Sequence, residues 1–301
     1  MISQKYHSLF YSLAAVLFWS TIATAFKITL NGMSNAQILF YSSLTSLLAL
    51  GVIAYSKNKD LISILFYGKN FKRNALLGFI NPFFYYLILI KAYDLLEAQE
   101  AMIVNYSWPI VFSVFSVIFL KEKLSGKTII GLISAFLGVA FIATRGDLLS
   151  LKFHNPLGGT LALVSTLIWA SFWIINLRDS RENYTKLFGA FFFGTVYTTI
   201  YILFFDSFKV ENPVYILGAV YVGLFEMGIT FTLWLKGLSL STNRANTSTL
   251  VFLSPFLSLI FIAFILGEKL YFSSIIGLAL IIGGILFQQF SKKKTQESLN
   301  V

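Results

Sequence analysis

Glu226 has the clearest capacity for chemistry in this sequence, because it is the only acidic side chain placed near the middle of a long apolar run, YVGLFEMGITF. A charge at the centre of a lipid bilayer costs at least about 2.5 kcal/mol on insertion scales, so such a carboxylate faces a wet cavity or a partner. We predict that Glu226 binds a positively charged amine or exchanges a proton. A structural ion pair, or a protonated acid with a hydrogen-bond partner, is the alternative.

Asn81 lies in another apolar run, next to Pro82, and roughly mirrors Glu226 when the two halves of the chain are compared. An amide inside a membrane needs hydrogen-bond partners, which a bound solute or neighbouring helices can supply. We predict that Asn81 binds a ligand and that Pro82 is a hinge. Contacts between helices are the alternative for Asn81.

A proline ends the polar and aromatic segment MIVNYSWP. Proline cannot donate a backbone hydrogen bond, so Pro109 leaves the carbonyl of Asn105 unpaired, and Pro255 has the same effect in a later run. A freed carbonyl can bind a ligand where it lines a cavity, and the weakened helix can bend. We predict that Asn105, Tyr106 and Trp108 bind a ligand and that Pro109 and Pro255 are hinges, with static kinks as the alternative.

Two tryptophans, Trp19 and Trp169, lie near the middle of apolar runs, away from the membrane interfaces where aromatic residues are enriched. Aromatic faces can stack on an aromatic solute or surround a cation. Because aromatic residues make up 17% of the chain, plain packing is the alternative for each of them. We predict that a cavity is lined by Trp19, Tyr85, Tyr86, Tyr106, Trp108, Trp169 and Trp234.

Charged residues at the ends of the apolar runs have simpler explanations. Lys91 and Lys236 are predicted to extend to the membrane interface, with carboxylate binding as the alternative. Glu122 and Glu268 each lie in a Glu-Lys-Leu turn and are predicted to cap the following helix, where a carboxylate is favoured. The chain has no cysteine and only two histidines, far apart, so we predict no metal site and no cofactor.

These residues are carried by a strongly apolar chain of 301 residues, of which 57% are hydrophobic and 12% charged, with a mean hydropathy of +0.76. A soluble domain is roughly half apolar and a quarter charged. Apolar runs of about 18 residues or more mark spanning helices. The sequence therefore predicts an all-α polytopic membrane protein with ten spans, at residues 8–30, 35–56, 74–93, 100–120, 127–144, 157–177, 186–205, 214–235, 245–266 and 273–290.

The net charge of +10 is explained by membrane topology. If the N-terminus is cytoplasmic, 17 of the 23 Lys and Arg residues fall on the inner side, including five in residues 57–73. This excess matches the positive-inside rule. We therefore predict a multi-pass protein of the cell (inner) membrane with both termini in the cytoplasm and no nucleic-acid partner.

The chain contains a repeat. The segment WPIVFSVFSVIFLKEKLSGKTIIG, starting at residue 108, resembles SPFLSLIFIAFILGEKLYFSSIIG 146 positions later, with the proline, the Glu-Lys-Leu turn and Ile-Ile-Gly shared. Two halves of five spans each must lie in opposite orientations, because five is odd, and such inverted repeats can interchange between states open to either side. We predict a first repeat at residues 8–144, an inverted second repeat at 157–290 and a basic tail at 291–301.

With these features the chain resembles the EamA family of the drug/metabolite transporter superfamily. The resemblance rests on ten spans in two inverted five-helix repeats and on a proline-bearing fourth helix followed by a Glu-Lys-Leu turn in each half. It implies movement of a solute through a central cavity by alternating access, most often export of amino acids or related metabolites. MIVNYSWP is also similar to the aromatic amino-acid exporter subgroup.

Together, the residues and the resemblance predict a secondary transporter that exports amino acids or related amines, driven by protons, exchange or the solute gradient. Uptake or exchange of another metabolite, such as a nucleoside derivative or a cationic drug, is an alternative. An integral-membrane enzyme would need convergent catalytic groups, which the lone Glu226 does not provide, and a scaffold is a further alternative. The predicted partners are a small solute, protons and the lipid bilayer, and a homodimer is one possible assembly.

Overall fold

A computed structural model describes residues 2–120, 126–147, 154–240 and 249–297. The described residues form helices joined by short connections, without a strand. The prediction of an all-α polytopic membrane protein is confirmed. The α-helices are α1 (Ile2–Leu30), α2 (Asn35–Lys57), α3 (Leu61–Phe66), α4 (Asn70–Gly78), α5 (Tyr85–Leu95), α6 (Ala98–Asn105), α7 (Trp108–Leu120), α8 (Gly126–Ala143), α9 (Pro156–Leu177), α10 (Asn183–Phe205), α11 (Val214–Val222), α12 (Ile229–Leu240), α13 (Leu253–Phe261) and α14 (Phe272–Glu297).

Seven helical stretches in the described ranges are long and apolar enough to cross a membrane. Three further apolar helices are shorter: Ile129–Ile142, Leu253–Leu266 and Phe272–Gly284. The count of ten crossings in two inverted sets of five remains a prediction. The long stretches are Tyr6–Leu30, Asn35–Lys57, Asn70–Leu95, Ala98–Phe119, Pro156–Asn176, Asn183–Phe205 and Val214–Trp234.

Several of these helices are interrupted. Wide π-helical turns join α4 to α5 at Phe79–Phe84 and α11 to α12 at Gly223–Gly228, and a third follows α13 at Ile262–Leu266. Such turns are rare and concentrate at functional sites. The interruptions therefore mark where the bundle departs from regular helix.

The three prolines predicted to be hinges occupy different positions: one inside a π-helical turn, one just after a break between helices and one inside a helix. The kink at Pro82 comes from Asn81, whose backbone is extended at φ −148° and ψ 123°. The chain leaves the helix just before Pro109, between α6 and α7, whereas Pro255 lies inside α13 after a short 3₁₀ turn, Thr249–Phe252.

Glycines allow the helix backbones to approach closely. A Cβ atom added to Gly138 of α8 would lie 2.7 Å from the carbonyl oxygen of Gly277 in α14. At Gly78 of α4, an added Cβ would lie 2.8 Å from the backbone nitrogen of Gly194 in α10. Small residues at such contacts are how helices pack in lipid, where the hydrophobic effect does not drive association.

Large apolar side chains cover much of the outside of the bundle. Phe204 is 78% exposed, Leu217 68% and Phe264 86%. In a membrane this surface faces the lipid chains, which are as apolar as these residues. The polar groups of the bundle are instead concentrated in the interior and at its two ends.

Candidate functional site

Glu226 lies inside the bundle, in the turn Gly223–Gly228, and its side chain is half-buried. Its Oε1 accepts a hydrogen bond from the hydroxyl of Tyr86 in α5, at 3.0 Å. Its backbone carbonyl accepts a hydrogen bond from the indole Nε1 of Trp19 in α1, at 3.4 Å. None of the ion pairs among the described residues includes Glu226, so a structural ion pair does not account for it there.

Hydroxyl groups stabilise the turn that carries Glu226. Ser46 of α2 donates to the carbonyl of Gly223, at 2.6 Å, and Ser42 donates to Ala219, at 2.9 Å. Thr230 donates to the carbonyl of Phe225, at 2.5 Å. These bonds tie the carbonyls of the turn and of the preceding α11 to neighbouring hydroxyls. The turn is therefore held against α2 while Glu226 is directed towards α1 and α5.

An aromatic cluster surrounds this region. Tyr85 stacks on Trp169 with ring centres 4.6 Å apart. Trp19 lies 5.5 Å from Trp234 and 5.7 Å from Phe231, and Phe231 lies 6.2 Å from Trp169. The cluster, hereafter the aromatic cluster, consists of Trp19, Tyr85, Trp108, Trp169, Trp173, Phe231 and Trp234.

The structure thus brings most of the predicted aromatic residues together, and it adds two. Phe231 links the tryptophans of the two halves, and Trp173 stacks on Trp108 at 6.4 Å. Helical spacing is the signal that could have found them. Trp173 is four residues after Trp169 and Phe231 is three before Trp234, so each pair shares a helix face.

Asn105 lies beside the aromatic cluster. Its Oδ1 accepts a hydrogen bond from the Tyr85 hydroxyl at 3.3 Å, and its Nδ2 donates to Ser165 Oγ at 2.9 Å. The side chain therefore connects α5, α6 and α9. Tyr106 follows it at the interruption between α6 and α7, where its half-buried ring packs on the core.

Asn81 has different surroundings. Its side chain is 3% exposed, and Oδ1 lacks a hydrogen-bond partner in the described structure. Pro82 beside it packs against α10, where a Cβ added to Gly194 would lie 2.5 Å from the proline ring. In the aromatic cluster, the buried indole Nε1 of Trp173 also lacks a hydrogen-bond partner within the described residues. Buried polar atoms of this kind need an explanation, and a solute contact is one.

A polar network joins the loops at one end of the bundle, hereafter the Glu268 end. Arg145 donates to Glu100 at 2.9 Å and to Glu97 at 3.1 Å. The Tyr271 hydroxyl donates to Glu97 at 2.8 Å, and the Arg145 guanidinium lies 4.5 Å from the Tyr271 ring centre. Residues from both halves of the chain therefore hold this end together.

The position of Glu268 corrects the sequence prediction. Its carboxylate accepts hydrogen bonds from the backbone N–H groups of Ala98 at 2.9 Å and Gln99 at 3.4 Å. It therefore caps α6, in the other half of the chain, and not the helix that follows it. Burial raises the pKa of Glu268, and the two N–H groups oppose that rise. Glu122 lies outside the described residues.

The two lysines at the ends of the runs also have distinct positions. Lys91 forms an exposed ion pair with Asp94, at 2.6 Å. Lys236 is exposed near the end of α12. Neither is in hydrogen-bond contact with the aromatic cluster within the described ranges.

A second polar network lies at the opposite end, which carries residues 57–73 and is hereafter the basic-loop end. Arg181 donates to Asp179 at 2.6 Å and to Asn74 Oδ1 at 2.8 Å. Asn74 in turn donates to the carbonyls of Ile64 and Leu65 in α3. Although burial opposes it, the Arg181 guanidinium lowers the pKa of Asp179. Charge-assisted bonds thus join helices and loops at both ends of the bundle.

Two cavities lie away from Glu226. One of about 420 Å³ opens at the Glu268 end, lined by Phe141, Arg145 and Tyr271 among others. The other, of about 520 Å³, lies near the basic-loop end between α2, α3 and α10. Neither is lined by the aromatic cluster, so a central chamber around Glu226 remains a prediction.

These features define a polytopic helical membrane protein with a carboxylate and an aromatic cluster in its interior. The sequence profile of the EamA-like transporter family matches residues 7–144 and 156–288. The chain therefore belongs to the EamA-like transporter family. Because this family and its curated relatives are named as transporters, the chain is not expected to be an enzyme.

Curated relatives are named as transporters. An uncharacterized transporter of Clostridium kluyveri is 26% identical over 62% of this chain and 62% of its own length. The uncharacterized transporter YyaM of Bacillus subtilis is 23% identical over 72% and 73%. The aromatic amino acid exporter YddG of Salmonella typhimurium is 24% identical over 59% and 62%. The chain thus spans about three fifths of the Clostridium and Salmonella relatives.

The fold is also found among solved structures. One crystal structure matches 96% of this chain and 98% of its own chain, with a TM-score of 0.66 and 21% sequence identity. At that identity the match establishes the fold alone. The helical arrangement described above is therefore one that solved proteins adopt.

Proposed function

We propose that this protein is a secondary active transporter that exports small amines, amino acids or related metabolites by alternating access, with Glu226 as the binding and coupling residue. The observation that carries the proposal is the Glu226 carboxylate itself. It lies among helices, accepts a hydrogen bond from Tyr86 and has no ion-pair partner in the described part of the chain. An intramembrane acid of this kind is a functional group by default.

The surroundings of Glu226 suit an ammonium group with an apolar or aromatic body. A carboxylate forms charge-assisted hydrogen bonds with an ammonium, and the faces of Trp19, Trp169 and Trp234 can attract the same cation. The stacked pair of Tyr85 and Trp169 provides flat surfaces for a ring. The name of the Salmonella relative, an aromatic amino acid exporter, supports a solute of this shape.

Coupling to protons follows from competition for one carboxylate. A proton and an ammonium cannot occupy Glu226 together, so binding of one releases the other. If each is bound from a different side of the membrane, inward movement of the proton drives outward movement of the amine. The Tyr86 hydroxyl donates to the charged carboxylate and so stabilises it between the two occupants.

Several features support alternating access through two inverted repeats, residues 8–144 and 157–290. The π-helical turns Phe79–Phe84 and Gly223–Gly228 begin 144 positions apart, close to the 146-residue spacing of the repeated segments. The network at the Glu268 end joins both proposed repeats. Parting these bonds would open that end, with Pro82, Pro109 and Pro255 as the proposed hinges.

The proposal is tested in proteoliposomes. The wild-type protein should move labelled phenethylamine or tryptophan against its gradient when a pH gradient is imposed, and Glu226→Gln should not. Glu211→Gln, at an exposed position, is the matched control and should behave as wild type. Gradient-driven flux that persists unchanged in Glu226→Gln would refute the role of Glu226.

A further inference from the structure

The cavity near the basic-loop end is an open groove on the lipid-facing side of the bundle, with a volume of about 520 Å³. Leu48 and Val52 of α2, Ile62 of α3 and Phe188 and Phe192 of α10 are among its lining residues. Val52 and Ile62 are 72% and 74% exposed. The groove therefore presents an apolar surface that is open to lipid and distinct from the interior site of Glu226.

The short helix α3 forms one wall and is fixed in place. Ile64 and Leu65 pack with Ala54 of α2 and Phe188 of α10 in a separate buried cluster. The Asn74 side chain donates to the carbonyls of Ile64 and Leu65 at 2.9 and 3.2 Å. The Asn74 side chain thus satisfies two carbonyls at the end of α3 that have no partner within the helix. The groove is therefore part of the fold and does not depend on how a free loop happens to lie.

Positive charge lies beside the groove, at the connection between α2 and α3. Residues 57–73 contain five Lys and Arg residues and a single acidic residue, Asp60. Lys57 and Lys59 are exposed and flank the connection between α2 and α3, directly after the groove-lining Tyr55. Neither lysine takes part in the ion pairs of the described structure. A basic cluster beside an apolar surface matches a ligand with a negative head and an apolar tail.

We propose that this groove binds an anionic phospholipid, with an acyl chain along α2 and α3 and the headgroup phosphate at Lys57 and Lys59. Basic segments next to spanning helices attract anionic lipid through charge, and the groove adds a fixed place for the chain. A free phosphate would gain nothing from the apolar walls. A polar solute would find few partners there, because the lining is almost wholly apolar.

Native mass spectrometry of the purified, delipidated full-length protein tests the proposal. Dioleoyl phosphatidylglycerol and dioleoyl phosphatidylcholine are added in equal amounts, and the retained lipid is counted. We expect one phosphatidylglycerol to be retained in preference to phosphatidylcholine, and soluble glycerol phosphate in excess not to displace it. Equal retention of the two lipids, or displacement by glycerol phosphate, would overturn the proposal.

Two sets of variants separate the tail from the head. Val52→Trp fills the groove and should abolish the retained lipid, whereas Leu217→Trp, at another exposed apolar position, should not. Lys57→Gln with Lys59→Gln should lower the preference for phosphatidylglycerol on the order of tenfold. The matched pair Lys209→Gln with Lys236→Gln, both exposed, should leave it unchanged. If the control pair lowers the preference equally, the binding is a general charge effect and the groove is not the site.

Discussion

The two wide turns at Phe79–Phe84 and Gly223–Gly228 share a backbone device but differ in what they carry. In the first, Asn81 is 3% exposed and lies beside Pro82, which packs on α10. In the second, Glu226 is half-buried and bonded to Tyr86, next to the aromatic cluster. One turn presents a neutral amide at a helix contact, and the other presents a carboxylate in the interior.

The two turns therefore keep a similar backbone shape while they carry side chains of different chemistry. A carboxylate is costly in an apolar setting unless partners surround it, so a single copy suffices where one solute is bound at a time. We propose that the Glu226 turn binds the solute and that the Asn81 turn packs against α10, which is the helix-contact alternative for Asn81. The following predictions test that division.

The largest effect is expected at Glu226. Glu226→Gln keeps the shape but removes the charge, and should reduce transport of an amine by roughly 100-fold, as expected when a charged hydrogen bond worth about 3 kcal/mol is lost. The initial rate of labelled amine uptake into proteoliposomes measures this. A loss of less than threefold would mean that the charge is not the binding group.

A carboxylate placed in the other turn should instead destabilise the fold. Asn81→Asp should lower the free energy of unfolding by roughly 2 to 3 kcal/mol, because the site is buried at a helix contact. Thermal unfolding in detergent measures this, with the exposed Asn212→Asp as control. An Asn81→Asp protein as stable as the wild type would show that the Asn81 turn is as accessible to water as the Glu226 turn. That result would contradict the proposed difference between the two turns.

Removal of the donor to Glu226 should have an intermediate effect. Tyr86→Phe deletes the hydroxyl that bonds Oε1, and should weaken apparent amine affinity by about fivefold, the equivalent of about 1 kcal/mol. The concentration dependence of uptake reports this. Tyr197 packs on Phe79 of the other turn, and Tyr197→Phe should leave the affinity unchanged. An equal loss of affinity in Tyr197→Phe would show that the bond from Tyr86 to Glu226 is not the cause.

The smallest effect is expected at Glu268, far from both turns. Because the pKa of Glu268 is raised in the folded state, the fold binds that proton more tightly than the unfolded chain. Stability should therefore fall slightly as pH rises from the ordinary glutamate value of about 4.3 through the raised pKa. Glu268→Gln should flatten this part of the curve of thermal stability against pH. A curve identical to that of the wild type would exclude the contribution of Glu268.

The sequence was sufficient for the fold class, and it led to Glu226 as the centre of the proposed site. Continuous apolar runs predict helices because backbone groups in lipid must pair within a segment, and the cost of an intramembrane charge identified Glu226 before any contact was known. The same pattern reasoning brought Trp19, Trp169 and Trp234 to one region. In the structure they lie in one cluster through Phe231.

The contacts between distant residues could not be predicted in this way. The bond from Tyr86 to Glu226 joins residues 140 positions apart, and Glu268 caps a helix that begins 170 positions earlier. Local reasoning assigned Glu268 to the next helix, because dipole arguments consider only neighbours in the chain. Which helix ends meet depends on how the two halves of the chain pack. Patterns in a single sequence do not predict that packing.

The contact between Gly138 and Gly277 has a consequence for movement. The backbones of α8 and α14 approach closely at this contact, with Ile142 and Ile281 packed around it, and Ser134 also donates to the carbonyl of Leu280 at 3.0 Å. We therefore expect α8 and α14 to move together as one unit. In the proposed alternating-access cycle, a bulkier residue at Gly138 would push the two helices apart and slow transport, although it lies in neither wide turn.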